Sequence, residues 1–242
     1  VSECPSDAAN ALADLIVVAQ SELATPHALG CGLLREDSHA AVLSAAEISD
    51  LVEAALADGE ALARQVRQRW GDNADGIAAA NRIPVEDSEA DGGYGTAIVF
   101  AQYRTRPLGI VLHRPPIDAL EWQLQQSALG RLLDIQSVRA VFLAHELYHH
   151  FDETRSPTLC SRHRVPVLRL GRLCLTAPVA GLREIAAGAF AQRLLGLRFH
   201  PRLLDIAALS WPRLEAAAVH RSDAVTTGPS ACRTRTPHRS GC

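Results

Sequence analysis

The chain has 242 residues, 48% apolar and 21% charged, which is ordinary for a globular protein and enough for one large domain or two small ones. A formal net charge of −3 gives no footing for nucleic acid binding as the main activity. All 24 basic residues are arginine and methionine is absent, a pattern of base-composition bias rather than of structural demand. Six cysteines (Cys4, Cys31, Cys160, Cys174, Cys232, Cys242) form no C-x-x-C pair and are too sparse for a disulfide scaffold. The chain opens without a basic segment followed by an apolar run, and no apolar run approaches the length of a membrane span. The expectation is a cytoplasmic protein with no membrane partner.

Apolar spacing at Leu12, Leu15, Ile16 and Ala19 predicts a helix over 8–24. Residues 25–39 (TPHALGCGLLREDSH) are punctuated by Pro and Gly and read as a loop. A long helical region follows over 44–70, opened by the capping-box pattern Ser44-x-x-Glu47, with Gly59 as a point where it could divide. Residues 74–82 predict one short helix, and the Ile83-Pro84 step sends the chain into an extended exit. Segments 95–103 (GTAIVFAQY) and 108–113 (LGIVLH) are rich in β-branched residues and predict a hairpin ended by Pro115 and Pro116.

Helices resume over 118–133 and 136–151, and 154–180 reads as extended chain or loop. A further helix is predicted over 181–196, with short ones at 202–209 and 212–220. From Ser222 the chain is polar and aperiodic, which predicts disorder. Its arginines (Arg233, Arg235, Arg239) lack interleaved aromatics and suggest a solvated end rather than a nucleic acid contact. The pattern predicts an α+β fold, mostly helical with a small β-sheet packed on the helix of 136–151. It divides into a helical N-terminal extension over 1–55, a main domain over 56–221 and a tail over 222–242.

Residues 144–154, AHELYHHFDET, contain H-E-x-x-H. On a helix His145 and His149 project on one side and can share a metal ion, while Glu146, about 100° around, can act on a water there. His150 points away from that face. The plainer reading is a solvent-facing helix whose histidines pair with Asp152 and Glu153. Asp152 could instead orient the His149 ring. Glu153 lies about 12 Å from His145 along the axis, too far to share its ion.

Two histidines need a further protein ligand. Asp152, Glu153, Cys160, His163, Cys174, Glu184 and His200 all follow, with Cys160 and His163 as a rival C-x-x-H set. Glu184 is favoured because it leads an otherwise apolar helix, and a carboxylate carried into a core needs a partner. The plainer role for it is a first-turn glutamate favoured by the helix dipole.

Together, His145-Glu146-Leu147-Tyr148-His149 and Glu184-x-x-Ala187-x-x-Phe190-Ala191-x-x-Leu194-Leu195 resemble the ImmA/IrrE-like zinc metallopeptidase family, over roughly residues 60–200. The resemblance implies a zincin-like fold, Zn2+ held by His145, His149 and Glu184, and Glu146 as the catalytic residue that activates water. It also implies a protein or peptide substrate, such as a helix-turn-helix transcriptional repressor, and no direct nucleic acid binding. Two positions depart from the family pattern: Tyr148, where glycine is usual, and Gly188, where a polar residue is common. Candidates for stabilising a transition-state oxyanion are His163, Arg183 and His200. Two other functions compete with hydrolysis: a catalytically inactive zinc-binding regulatory module, and a metal-free helical protein-interaction module.

Overall fold

The computed structural model describes residues 25–94, 97–170 and 173–209. The helices expected at 8–24 and 212–220, the tail from Ser222 with its three arginines, and Cys4, Cys232 and Cys242 lie outside the described residues.

Residues Pro26–Glu36 form a helix (α1) where a loop was expected. Thr25 Oγ1 accepts from the Ala28 N–H, and Pro26 sits in the first turn, where a missing N–H leaves no bond unmade. The glycine that suggested a loop instead permits close packing, since a Cβ on Gly30 would stand 2.7 Å from Val52 Cγ1.

Ala45–Trp70 is one continuous helix (α2). Its capping box is complete: Ser44 Oγ accepts from the Glu47 N–H and the Glu47 carboxylate accepts from the Ser44 N–H. Gly59 does not divide it. A Cβ there would lie 2.1 Å from the Ala186 carbonyl oxygen, so Gly59 marks where two helices cross closely. The boundary expected at residue 55 therefore falls inside a helix. Cys31, Leu34, Ile48 and Val52 belong to the same core as Leu147 and Phe190.

Ala74–Ala80 (α3), capped by the Asn73 side chain, leads to Val85–Ser88 (β1). Then come Gly93–Tyr94 (β2), Ala97–Ile98 (β3), Ala101–Thr105 (β4) and Leu108–His113 (β5). The main sheet has the order β1-β5-β4, with β4 and β5 antiparallel and β1 parallel to β5. The expected hairpin is present, but segment 95–103 is split: β3 pairs with β2, and only β4 joins β5. β1 was not expected, because Val-Glu-Asp-Ser lacks an apolar alternation.

Pro115 and Pro116 open the next helix, Arg114–Gln126 (α4), as well as ending the strand. Ala128–Leu133 (α5) follows, and then Val138–Thr154 (α6), capped by Ser137 Oγ accepting from the Ala140 N–H. The region expected as extended chain or loop holds a short helix, Leu159–Arg162 (α7), and an antiparallel pair, Arg164–Leu170 (β6) with Leu173–Pro178 (β7). Gly181–Leu195 (α8) ends at Gly196 in the left-handed conformation, φ 68°. Residues 202–209 are helical (α9).

The architecture is α+β and mostly helical, with small sheets. α8 packs against both α2 and α6. Its buried Ala186, Ala187, Gly188, Ala189 and Ala191 allow that close approach. Arg139, in the first turn of α6, pairs with Asp87 on β1 at 2.9 Å and Asp75 on α3 at 3.0 Å, tying the motif helix to the sheet. Among the described residues no helix is long and apolar enough to cross a membrane.

Candidate metal centre

α6 emerges from the core through buried Val141, Leu143 and Ala144 and then presents His145 and His149 one turn apart. Their rings meet edge-on with centroids 5.1 Å apart. Across from them, the first turn of α8 presents Glu184. Its Oε2 lies 3.1 Å from His145 Nε2 and its Oε1 3.5 Å from His149 Nε2. One donor atom from each of His145, Glu146 and His149 also falls within 4.8 Å of the others, a group that could hold a metal ion. The structure thus brings together His145, Glu146, His149 and Glu184.

Glu146 is 8% exposed and held from the sheet: the Tyr103 backbone N–H donates to its Oε2 at 2.8 Å. The source of that donor follows from the β4/β5 register. The His113 N–H donates to the Phe100 carbonyl, so Phe100, Gln102 and Arg104 spend their backbone groups on β5. Ala101, Tyr103 and Thr105 turn theirs to the open edge, and Tyr103 uses its N–H to orient the glutamate.

The electrostatics of the four groups are mutually dependent. Burial pulls the His145 imidazole down, but hydrogen bonding and attraction from Glu184, aided by Glu146, lift it to about 9. Burial opposes ionisation of Glu184, yet His145 beside it outweighs that and holds the carboxyl at about 2. Glu184 nonetheless keeps 51% of its side-chain surface, so water screens this pair and its net stabilisation is small. Burial, reinforced by repulsion from His145, lowers His149 to about 4, leaving it neutral with a lone pair available. Burial raises the Glu146 carboxyl.

The other candidates separate clearly. Asp152 is fully buried, but it accepts from Arg155 Nη2 at 2.7 Å and the Leu159 N–H at 2.9 Å, with Arg183 Nε 3.3 Å away. It holds arginines and a loop rather than orienting His149. Glu153 lies 3.5 Å from Arg183 Nη2. Cys160 donates its thiol to the Val179 carbonyl, and the pair Cys160 and His163 joins no group of clustered donors among the described residues. The side chain of Cys174 is not among those described.

Tyr148 faces away from the centre. It is fully buried and its hydroxyl donates to Asp58 Oδ2 at 2.9 Å; Arg155 and Arg162 pair with the same carboxylate. Gly188 makes room for His200, since a Cβ there would lie 2.3 Å from the His200 Cε1. His200 Nδ1 accepts from the Arg202 N–H at 3.2 Å, and its Nε2 is sealed from solvent. His200 packs against α8 and lines a small cavity together with His145, Glu184 and Arg202. Arg183 is engaged by Asp152 and Glu153. His150 contacts Tyr103, with the phenolic oxygen 3.3 Å from Nδ1, at the rim beside β4.

Sequence reasoning missed Tyr103 and Asp58. They lie 43 and 90 positions from the motif residues they hold, and no local pattern marks either.

The donor set could hold a metal ion: two imidazole nitrogens and one carboxylate on facing helices, with the Glu146 carboxylate beside them. The chain matches no family model, no curated protein and no solved structure, and the geometry of this centre carries the functional argument.

Proposed function

We propose that the protein is a zinc-dependent metallopeptidase of zincin-like fold, related to the ImmA/IrrE-like family, which cleaves a protein partner such as a helix-turn-helix repressor. The observation that carries this reading is Glu184 reaching both motif histidines from a second helix, with Glu146 anchored beside them. Zinc, when bound, supplies Lewis acidity toward a peptide carbonyl and toward water.

The chain's own residues do the rest. His145 and His149 offer Nε2 atoms and Glu184 a carboxylate, a three-ligand set that leaves room for water and substrate. Glu146, with Oε2 held by the Tyr103 N–H, uses its other oxygen to take the proton of the attacking water and return it to the leaving amine. Burial raises its pKa and brings its basicity closer to that task. The open edge of β4 presents backbone groups of Ala101 and Thr105, on either side of Tyr103, to an extended peptide.

Glu146→Gln tests the reading. It keeps the shape and the Tyr103 hydrogen bond while removing the base, so zinc stays bound and cleavage of the partner is lost. Full activity in that variant, with zinc still bound, would show that Glu146 is not the base and overturn the proposed mechanism.

A further inference from the structure

Glu184 sits in the first turn of α8, the part of that helix its own sequence holds least. A first turn has fewer backbone bonds within the helix than later ones, and Ala180 at the N-cap makes no side-chain hydrogen bond to compensate. Anchorage comes instead from two other helix ends. Asp37, at the end of α1, accepts from the Gly181 N–H at 3.1 Å. Asp152 and Glu153, at the end of α6, face the Arg183 guanidinium, with Asp152 Oδ2 3.3 Å from Nε and Glu153 Oε2 3.5 Å from Nη2.

Asp152 divides its two oxygens between two tasks. Oδ1 accepts from Arg155 Nε at 2.9 Å, Arg155 Nη2 at 2.7 Å and the Leu159 N–H at 2.9 Å, which fixes the chain leaving α6. Oδ2 takes none of these. It is sealed from solvent, as is Arg183 Nε, and the two face each other as an ion pair that is not aligned as a hydrogen bond. Drawing them apart would leave a carboxylate oxygen and a guanidinium nitrogen buried without water, so the spacing between them resists change. α6 carries two of the proposed metal ligands and α8 the third. Asp152 follows His149 by three residues, so the pair spans the same gap as the metal about one turn further on.

We propose that Asp152, acting through Arg183, is a positioning residue of the centre: the pair sets how far the first turn of α8 stands from α6 and so holds Glu184 within reach of both histidines. The proposal rests on the reading of His145, His149 and Glu184 as metal ligands. The Glu184 side chain is 51% exposed and its carboxylate contacts the two histidines, so its placement depends on the backbone beneath it. Arg183 is the residue before it, and its anchor acts on that backbone. Asp37 cannot set this spacing, because it ties α8 to α1 rather than to α6. Glu153 adds a weaker hold, since its side chain is 48% exposed and water screens the pair. Neither Asp152 nor Arg183 belongs to the two motifs that carry the family resemblance.

The test measures zinc affinity by chelator competition, together with the visible spectrum of the Co2+-loaded full chain. Wild type is compared with Arg183→Met, Arg183→Lys, Asp152→Asn and Tyr148→Phe, each at a temperature where circular dichroism shows it folded. Arg183→Met is expected to weaken zinc binding about tenfold or more, the range found for residues that orient metal ligands, and to shift the Co2+ d–d bands as Glu184 moves away. Asp152→Asn changes both in the same direction, and Arg183→Met carries the test if that variant does not fold. Arg183→Lys keeps the charge and recovers part of the affinity. Tyr148→Phe loses stability and keeps the wild-type affinity and spectrum. Arg183→Met with wild-type zinc affinity and an unshifted Co2+ spectrum overturns the positioning role and leaves the metal centre standing. An equal loss of affinity in Tyr148→Phe would trace the effect to stability alone and overturn it as well. A wild-type chain that takes up neither metal overturns the metal reading, and the positioning role with it.

Discussion

The Tyr148 hydroxyl donates to Asp58 Oδ2 at 2.9 Å, joining the residue before the second motif histidine to the middle of α2. Bulk at that position therefore does not narrow the cleft; it anchors the back of the motif helix. Asp58 is nearly enclosed, and burial of its carboxylate is offset first by hydrogen bonds from Arg155 and Arg162, then by Tyr148, which together keep it ionised.

Tyr148→Phe removes one charge-assisted hydrogen bond from a buried cluster and leaves both arginines in place. The expected cost is about 1–3 kcal/mol in denaturant unfolding, with zinc stoichiometry unchanged. Loss of zinc without loss of stability would show that Tyr148 acts on the cleft.

Gly59→Ala sets two effects against each other. Helix propensity favours alanine by about 1 kcal/mol, but the added Cβ would stand 2.1 Å from the Ala186 carbonyl oxygen and push α2 off α8. The clash wins because the obstacle is backbone. Net destabilisation of about 1–2 kcal/mol is expected from thermal or denaturant melts, and zinc binding should weaken because α8 carries Glu184. A stabilised variant would mean the two helices are not pressed together there.

The metal-free protein should lose stability as alkali rises. His145 stands at about 9 in the fold, above its ordinary value of 6.5, through Glu184. Its contribution is complete below about pH 6.5 and drains away as pH climbs through 9. Zinc must displace that same proton, so apparent zinc affinity should rise about tenfold per pH unit across this window. Glu184→Gln should flatten the stability slope. Wild-type stability that is flat from pH 6.5 to 9 would contradict the pairing.

Much of the centre was legible because its parts are local. His145, Glu146 and His149 follow helical spacing on α6, and Glu184 stood out as the carboxylate of an apolar helix, so the sequence contained both halves of the contact. What it could not show was the distance between them. Pro and Gly signal a loop over 25–39 as helix breakers, but Pro26 lies in a first turn and Gly30 at a helix crossing, where neither breaks the helix. β1 was hidden by its acidic residues, since its pairing comes from β5 rather than from its own pattern. Spacing leaves Asp152 open between orienting His149 and facing solvent; the groups that claim it are Arg155, just past α6, and Arg183 on α8. Tyr103 was invisible because it acts through its backbone, and any residue but proline could supply that N–H.

Zinc content of the purified chain, measured beside Glu184→Ala, tests the central claim most directly. The metallopeptidase reading predicts about one zinc ion per wild-type chain, and a loss of at least about tenfold in affinity when the Glu184 carboxylate is removed. A wild-type chain that leaves metal-replete purification without zinc, or a variant that holds it equally well, would contradict the account.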